Sequence, residues 1–322
     1  MKAKQINMSN RDSIGLRKKN SVGLMSKTDN IQLTLLALPA IVLIIILRYI
    51  PMFGTILAFK DYNYSQGILG SEWVGLTNFE FFFKSKDAFV ITRNTLLYNI
   101  AFIIIGQVIS IAFAIMLTNM SKKAMGFFQT VLFQPFYLSW VVVAYISLIF
   151  LSYDSGLLNK MLTAVGLKAI SWYDSPQYWP LILTFFRFWK TLGYDALIYY
   201  TYILAFDQSI YEAANIDGCS AFQTITRITV PMLKPTIVLL VIMAIGKIFS
   251  ADFGLFYQLP RQSGALRNVT DVVETYTYRT LTSGGHIGVS SAVGLTQGVV
   301  GFVLVIIANK VAKKFDEENS IF

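Results

Sequence analysis

The stretch DQSIYEAANIDGCSAFQTITRITVPMLKP, Asp207–Pro235, interrupts an otherwise apolar chain, and its reading decides how the rest is folded. Glu212-Ala213-Ala214 starts a helix, since alanine and glutamate lose little freedom in one, and Gly218 is a natural stop. Phe222, Ile225, Ile228 and Val230 then recur near helical spacing until Pro231 breaks the pattern. The expectation is two short helices joined at a glycine and lying outside a bilayer. A helix resting on lipid ordinarily carries lysines on its polar face, whereas this one is acidic, with Glu212 and Asp217. Its alanines would let another protein approach closely, so the composition favours a protein partner.

Outward from this elbow the chain is hydrophobic. Of 322 residues, 55% are hydrophobic and 15% aromatic, only 14% are charged, and the mean hydropathy is +0.56. A soluble domain carries about 25% charged residues, so a soluble enzyme, a disordered protein and a nucleic-acid binder are all excluded. The net charge of +9 sits at the chain ends and between apolar runs, a pattern of membrane orientation. A single cysteine, Cys219, excludes an intrachain disulfide, and a single histidine, His286, excludes a zinc cluster.

Six stretches are long enough to cross the bilayer: Ile31–Phe59, Val90–Met120, Phe127–Leu151, Trp179–Phe206, Pro235–Gln258 and Ser290–Val311. None shows the alternation of a membrane barrel, so the fold class is all-α, a polytopic six-helix membrane protein. The first run is too long for a signal peptide and reads as an uncleaved anchor. Lys2, Lys4, Arg11, Arg17, Lys18, Lys19 and Lys27 crowd the first thirty residues. Lys122, Lys123, Arg227, Lys234 and Lys310, Lys313 and Lys314 fall on the same side, while the opposite, longer loops are poorer in basic residues. Both termini are therefore expected to be cytoplasmic. The division expected is a basic tail over residues 1–30, a transmembrane domain over 31–311 with the elbow 207–234, and a short tail over 312–322.

Ionisable residues inside the spans are Arg48, Arg187, Lys190, Asp195, Lys247 and Asp252. Each costs on the order of 2.5–3.5 kcal/mol at a helix centre, so each needs a partner or a watery cavity. In span four, Arg187, Lys190, Thr191, Tyr194, Asp195 and Tyr202 fall within an arc of roughly 140°. Span five, read as one helix, puts Lys247, Ser250, Gly254, Tyr257 and Gln258 on one face. Matching depths predict two interhelical pairs, Asp195–Lys247 and Arg187–Asp252. A polar stripe flanked by aromatic rings suits a sugar path, and helix locking suits it equally; both readings stay open here. Asn94, Asn99 and Gln107 in span two and Gln297 in span six are further lining candidates, set against a role as interhelical glue. Asp271–Leu281 is a short amphipathic segment of the last external loop.

Glu212-Ala213-Ala214, Gly218 and Ile228-Thr229-Val230-Pro231, in that spacing, resemble the EAA loop of binding-protein-dependent ABC importer permeases. Gly193-Tyr194 resembles the carbohydrate branch. Tyr49–Gly54, Ala58–Tyr62, Gly75–Phe79 and Asp271–Tyr276 resemble the LplB-type polysaccharide permeases. The resemblance implies the MetI-like permease fold and a bacterial plasma-membrane importer. It also implies a second, related permease subunit, two ATPase subunits and an extracellular substrate-binding lipoprotein. Glu212, Ala213, Ala214, Asp217, Gly218 and Pro231 would form the joint with the ATPase. No G-x-x-x-x-G-K-[ST] is present, so ATP and magnesium would be bound by the partner chains, and no cofactor or metal is expected on this one. Two other classes are weighed. An ion-coupled secondary transporter of a small polar solute would need internal repeats, and a membrane enzyme would need a catalytic cluster.

Overall fold

The computed structural model describes residues 27–315. Most of the basic tail expected over residues 1–30, and all but the start of the tail expected over 312–322, lie outside the described residues. The chain divides into two units at Gly54. In the first, helix α1, Lys27–Ile44, continues through a π turn, Ile45–Tyr49. The whole run Ile31–Phe59 stays helical for 29 residues.

The second unit starts at Thr55, within the end of that helical run, and then forms a two-stranded antiparallel ribbon, β1 (Lys60–Asp61) and β2 (Glu72–Trp73), with Lys60 opposite Trp73. Lys60 is buried because its ammonium donates to the carbonyls of Ile68, Leu69 and Ser71. The helices that follow are α2 (Thr77–Lys84), α3 (Lys86–Thr118), α4 (Lys122–Phe133), α5 (Trp140–Leu151), α6 (Leu157–Ala164) and α7 (Trp179–Leu204). Next come α8 (Gln208–Ile216), α9 (Ala221–Ile245), α10 (Phe253–Gln258), α11 (Val273–Gly284) and α12 (Ile287–Phe315). The starts are written in the sequence. Ser85, Ser121, Ser139, Asp207, Ser220 and Asp252 each accept a backbone N–H of the helix they precede.

Among the described residues, four helices are long and apolar enough to cross a membrane: Ile31–Phe59, α3, α9 and α12. A fifth candidate is the pair Lys122–Tyr137 and Trp140–Leu151, which bends by 102° where one straight span was expected. The remaining expected span, α7, has 26 residues and carries Arg187, Lys190 and Asp195. Six spans is therefore a reading of these elements rather than a count.

Two corrections concern span five. Pro231 does not break the helix: α9 runs unbroken from Ala221 to Ile245. A π turn over Ile225–Thr229, closed by Val230 N–H on Ile225 O, sits just ahead of the proline. A proline ring collides with the carbonyl four residues back, here Arg227, and the wider π turn moves that carbonyl aside. Pro51 follows the π turn Ile45–Tyr49 at the same spacing. At its other end, span five stops at Ile245, not Gln258. Gly246–Asp252 is non-helical, and α10 restarts at Phe253.

α3 and α7 pack along one another and carry two separate cores. Toward one end lie Tyr98, Val143, Trp179, Leu183, Phe186, Leu255 and Phe256; toward the other lie Ala114, Ile115, Tyr199, Tyr200, Ile203 and Leu233. Gly193 lets α4 touch α7, since a Cβ there would collide with the Leu132 carbonyl oxygen.

Candidate functional site

Between the two cores is a cavity of about 530 Å³. It is lined from α3 by Asn99, Phe102, Gly106, Gln107 and Ser110, and from α7 by Arg187, Asp195 and Tyr199. The unwound stretch after α9 contributes Lys247, Ser250, Ala251 and Asp252. Four of the expected path residues, Arg187, Asp195, Lys247 and Asp252, thus meet in one space. Non-helical backbone at membrane depth is tolerated where it lines a cavity, and that is where Gly246–Asp252 lies. Its carbonyls are covered by amides: Asn99 donates to Ile248 O at 2.7 Å and Ser250 O at 3.2 Å, and Gln297 donates to Phe249 O at 2.6 Å.

The expected pairs Asp195–Lys247 and Arg187–Asp252 do not close as ion pairs; the ion pairs found among the described residues are Lys84–Glu80 and Arg279–Asp271. The break in span five removes the helical register on which they were predicted. Arg187 instead lies two turns from Asp195 on the same helix, with its guanidinium 5.9 Å from the Phe102 ring centre. Asp252 caps α10 through Leu255 N–H and accepts the Trp140 indole N–H at 2.9 Å.

The other candidates lie elsewhere. Lys190 is buried at the bend between α4 and α5. It donates to Phe136 O at 2.6 Å and sits 5.4 Å from the ring centres of both Phe136 and Trp140. Tyr194 stacks on Phe136 at 4.7 Å, and Tyr202 is exposed. Gln297 is committed to Phe249 O and to Glu274 Oε1 at 3.0 Å. Asn94 ties α3 to the last loop through Asn268 O and Asp271 O. Sequence reasoning missed Trp140, Glu274 and the unwound segment. One signal was present: Asp252 before Phe253-Gly254-Leu255 is a helix N-cap pattern inside a supposed span.

At the elbow, Asp207 caps α8; the Ser209 N–H it accepts holds its carboxyl below the ordinary carboxylate range. The helix ends in a Schellman motif. Cys219 N–H bonds Ala214 O, Gly218 N–H bonds Asn215 O, and Gly218 takes φ +75°. Ser220 and Gln223 then form a capping box that opens α9. Glu212, Ala213, Asp217, Gly218 and Pro231 are exposed, while Ala214 is turned inward and buried. Ile216 and Phe222, 86% and 74% exposed, flank the glycine. The Tyr211 and Thr229 hydroxyls, 3.2 Å apart, tie α8 to the start of α9.

Set beside solved structures, this fold matches a chain of a bacterial alginate ABC transporter in complex with alginate pentasaccharide-bound periplasmic protein. The TM-score is 0.81 at 29% identity, over 89% of this chain and 96% of that one. A second structure, of a bacterial ABC transporter involved in the import of the acidic polysaccharide alginate, matches with a TM-score of 0.82 at 29% identity, over 90% and 97%. The class is thus that of ABC transporter permeases, multi-pass membrane proteins of transport rather than enzymes.

No family model matches the chain. The polygalacturonan/rhamnogalacturonan transport system permease protein YteP of Bacillus subtilis is 34% identical over 290 residues, 89% of each chain. Protein LplB of the same organism is 32% identical over 287 residues, 89% of this chain and 90% of LplB. The chain belongs to the carbohydrate ABC transport permeases, and the ion-coupled alternative is set aside.

Proposed function

We propose that this chain is one of two permease subunits of an importer that carries an oligosaccharide across the plasma membrane. In this reading the 530 Å³ cavity is this subunit's share of the path. Its amides and charged groups offer donors and acceptors to sugar hydroxyls, and the partly exposed Phe102 offers a ring face to sugar C–H groups. A second, related permease would close the open side, and an extracellular binding protein would deliver the saccharide. Six spans over residues 31–311 would place both termini, and the elbow, in the cytoplasm. There Glu212, Ala213, Asp217, Gly218, Ile216 and Phe222 would seat in an ATPase subunit, which would bind ATP and magnesium.

The observation that carries the reading is the pairing, on one chain of this family, of a charged cavity with an exposed elbow whose second helix leads to the cavity wall. The test is purification from native membranes followed by reconstitution. An ATPase chain and a second permease should accompany this chain, and uptake of oligosaccharide into vesicles should require ATP and the binding protein. Uptake by this chain alone, driven by an ion gradient, would overturn it.

A further inference from the structure

Glu274 begins the loop helix α11, and Gln297 lies on α12. One side-chain amide joins three elements: Gln297 Nε2 donates to Phe249 O at 2.6 Å and to Glu274 Oε1 at 3.0 Å. Phe249 belongs to the unwound stretch whose next residues, Ser250, Ala251 and Asp252, line the cavity. The Glu274 carboxyl is flanked by the Ala251 amide and lies within the field of Asp252. Its second oxygen is enclosed and accepts no hydrogen bond among the described residues. A half-satisfied carboxylate is a costly thing to bury, and a glutamine or leucine would tie α11 to α12 with less penalty. What the carboxylate adds over a glutamine is that both its oxygens accept, so only the NH2 of Gln297 can face it, and the second proton of that NH2 is aimed at Phe249 O.

We propose that Glu274 and Gln297 are positioning residues of the transport path: they clamp the unwound backbone of Phe249–Asp252 and join it to α11, so that this helix and the cavity wall move as one piece. α11 is itself braced by the Arg279–Asp271 ion pair at 2.6 Å, while Tyr278 and Leu281 remain exposed on it. A partner pressing on that helix would therefore displace Ser250 and Asp252 directly. The proposal rests on the cavity being the path, and the experiment separates the two.

In the purified complex with Cys219→Ser, a cysteine is placed by Ser250→Cys and its modification by a charged methanethiosulfonate reagent is timed. Lys84→Cys, on the exposed last turn of α2 outside the candidate spans, serves as the reference site. Gln297→Leu should speed modification at position 250 by about tenfold, the scale of one buried hydrogen bond, and leave position 84 within about twofold. The double variant Glu274→Gln with Gln297→Glu restores the contact between α11 and α12 but turns an acceptor toward Phe249 O. It should stay as reactive as Gln297→Leu. Equal acceleration at both sites, no acceleration at position 250, or a return to the original rate in the double variant would each overturn the clamp. If modification at position 250 leaves uptake unchanged, the path reading fails while the clamp stands.

Discussion

Lys190→Met removes a charge from membrane depth and should nevertheless destabilise the protein. Relief of the buried charge favours methionine by about 2.5–3.5 kcal/mol on the insertion scale. Against this stands the ammonium's hydrogen bond to Phe136 O, at 2.6 Å, a charged donor worth about 1.5–3 kcal/mol. Two ring contacts, with Phe136 and Trp140, add about 0.5–2 kcal/mol each. The losses also leave Phe136 O without that donor at a 102° bend, where the helix ladder offers no replacement. The balance is a net loss of about 2 kcal/mol, equivalent to roughly 3 °C in the melting temperature of a chain this size. Thermal unfolding of the detergent-solubilised complex, followed by tryptophan fluorescence, measures it. Because Lys190 is absent from the cavity lining, the KM for uptake should stay within about twofold. A melting temperature equal to or above the parent's would show that desolvation outweighs the contacts at the bend. A large KM change with unaltered stability would return Lys190 to the path.

Glu212→Lys reverses the charge at the exposed face of the elbow and should leave insertion intact while separating ATP hydrolysis from uptake; normal coupled uptake would count against the joint. Gly218→Val must hold a β-branched residue at φ +75°, at a cost of about 1–2 kcal/mol, with open space around it. It should loosen ATPase binding in pull-down rather than block folding. Glu274 gives a pH dependence with a definite sign. Burial raises its pKa, so its contribution to stability is full below the unfolded-state pKa and is lost as pH rises through the folded-state value. Glu274→Gln should flatten that decline in a melting-temperature series, and an unchanged slope would mean that another group sets it.

Much of this was legible in the residues. The elbow's stop at Gly218 follows from αL preference, and the serine and aspartate caps mark helix starts without any tertiary information. Arg187, Asp195, Lys247 and Asp252 could be expected to share a cavity because each is costly alone. Their pairing could not be read, because it assumed that span five stays helical past Gly246. That stretch unwinds because Asn99 and Gln297, far away in sequence, supply the hydrogen bonds its backbone lacks. Lys190 was misjudged for a similar reason: its partners are carbonyls exposed by a bend, and periodicity carries no sign of a bend.

The continuity of α9 through Pro231 bears on mechanism. A helix broken there would make the elbow a hinged flap, free to move without disturbing the bundle. The π turn over Ile225–Thr229 absorbs Pro231, and the helix also continues through Pro235, so the 25 residues Ala221–Ile245 form one unbroken rod, about 38 Å long at the usual rise. One end is the capping box beside Gly218, and the other delivers the chain to Gly246 and the cavity wall. A rod of this kind transmits displacement rather than absorbing it, as rigid-body switching of a transport path requires. Softening its middle should therefore separate the two ends. Val238→Gly with Leu239→Gly costs about 1 kcal/mol of helix propensity at each position and touches neither the elbow nor the cavity lining. ATPase binding should persist while saccharide carried per ATP hydrolysed falls severalfold. If transport and hydrolysis fall together in constant ratio, the rod is not the transmitting element, and coupling must run through α7 instead.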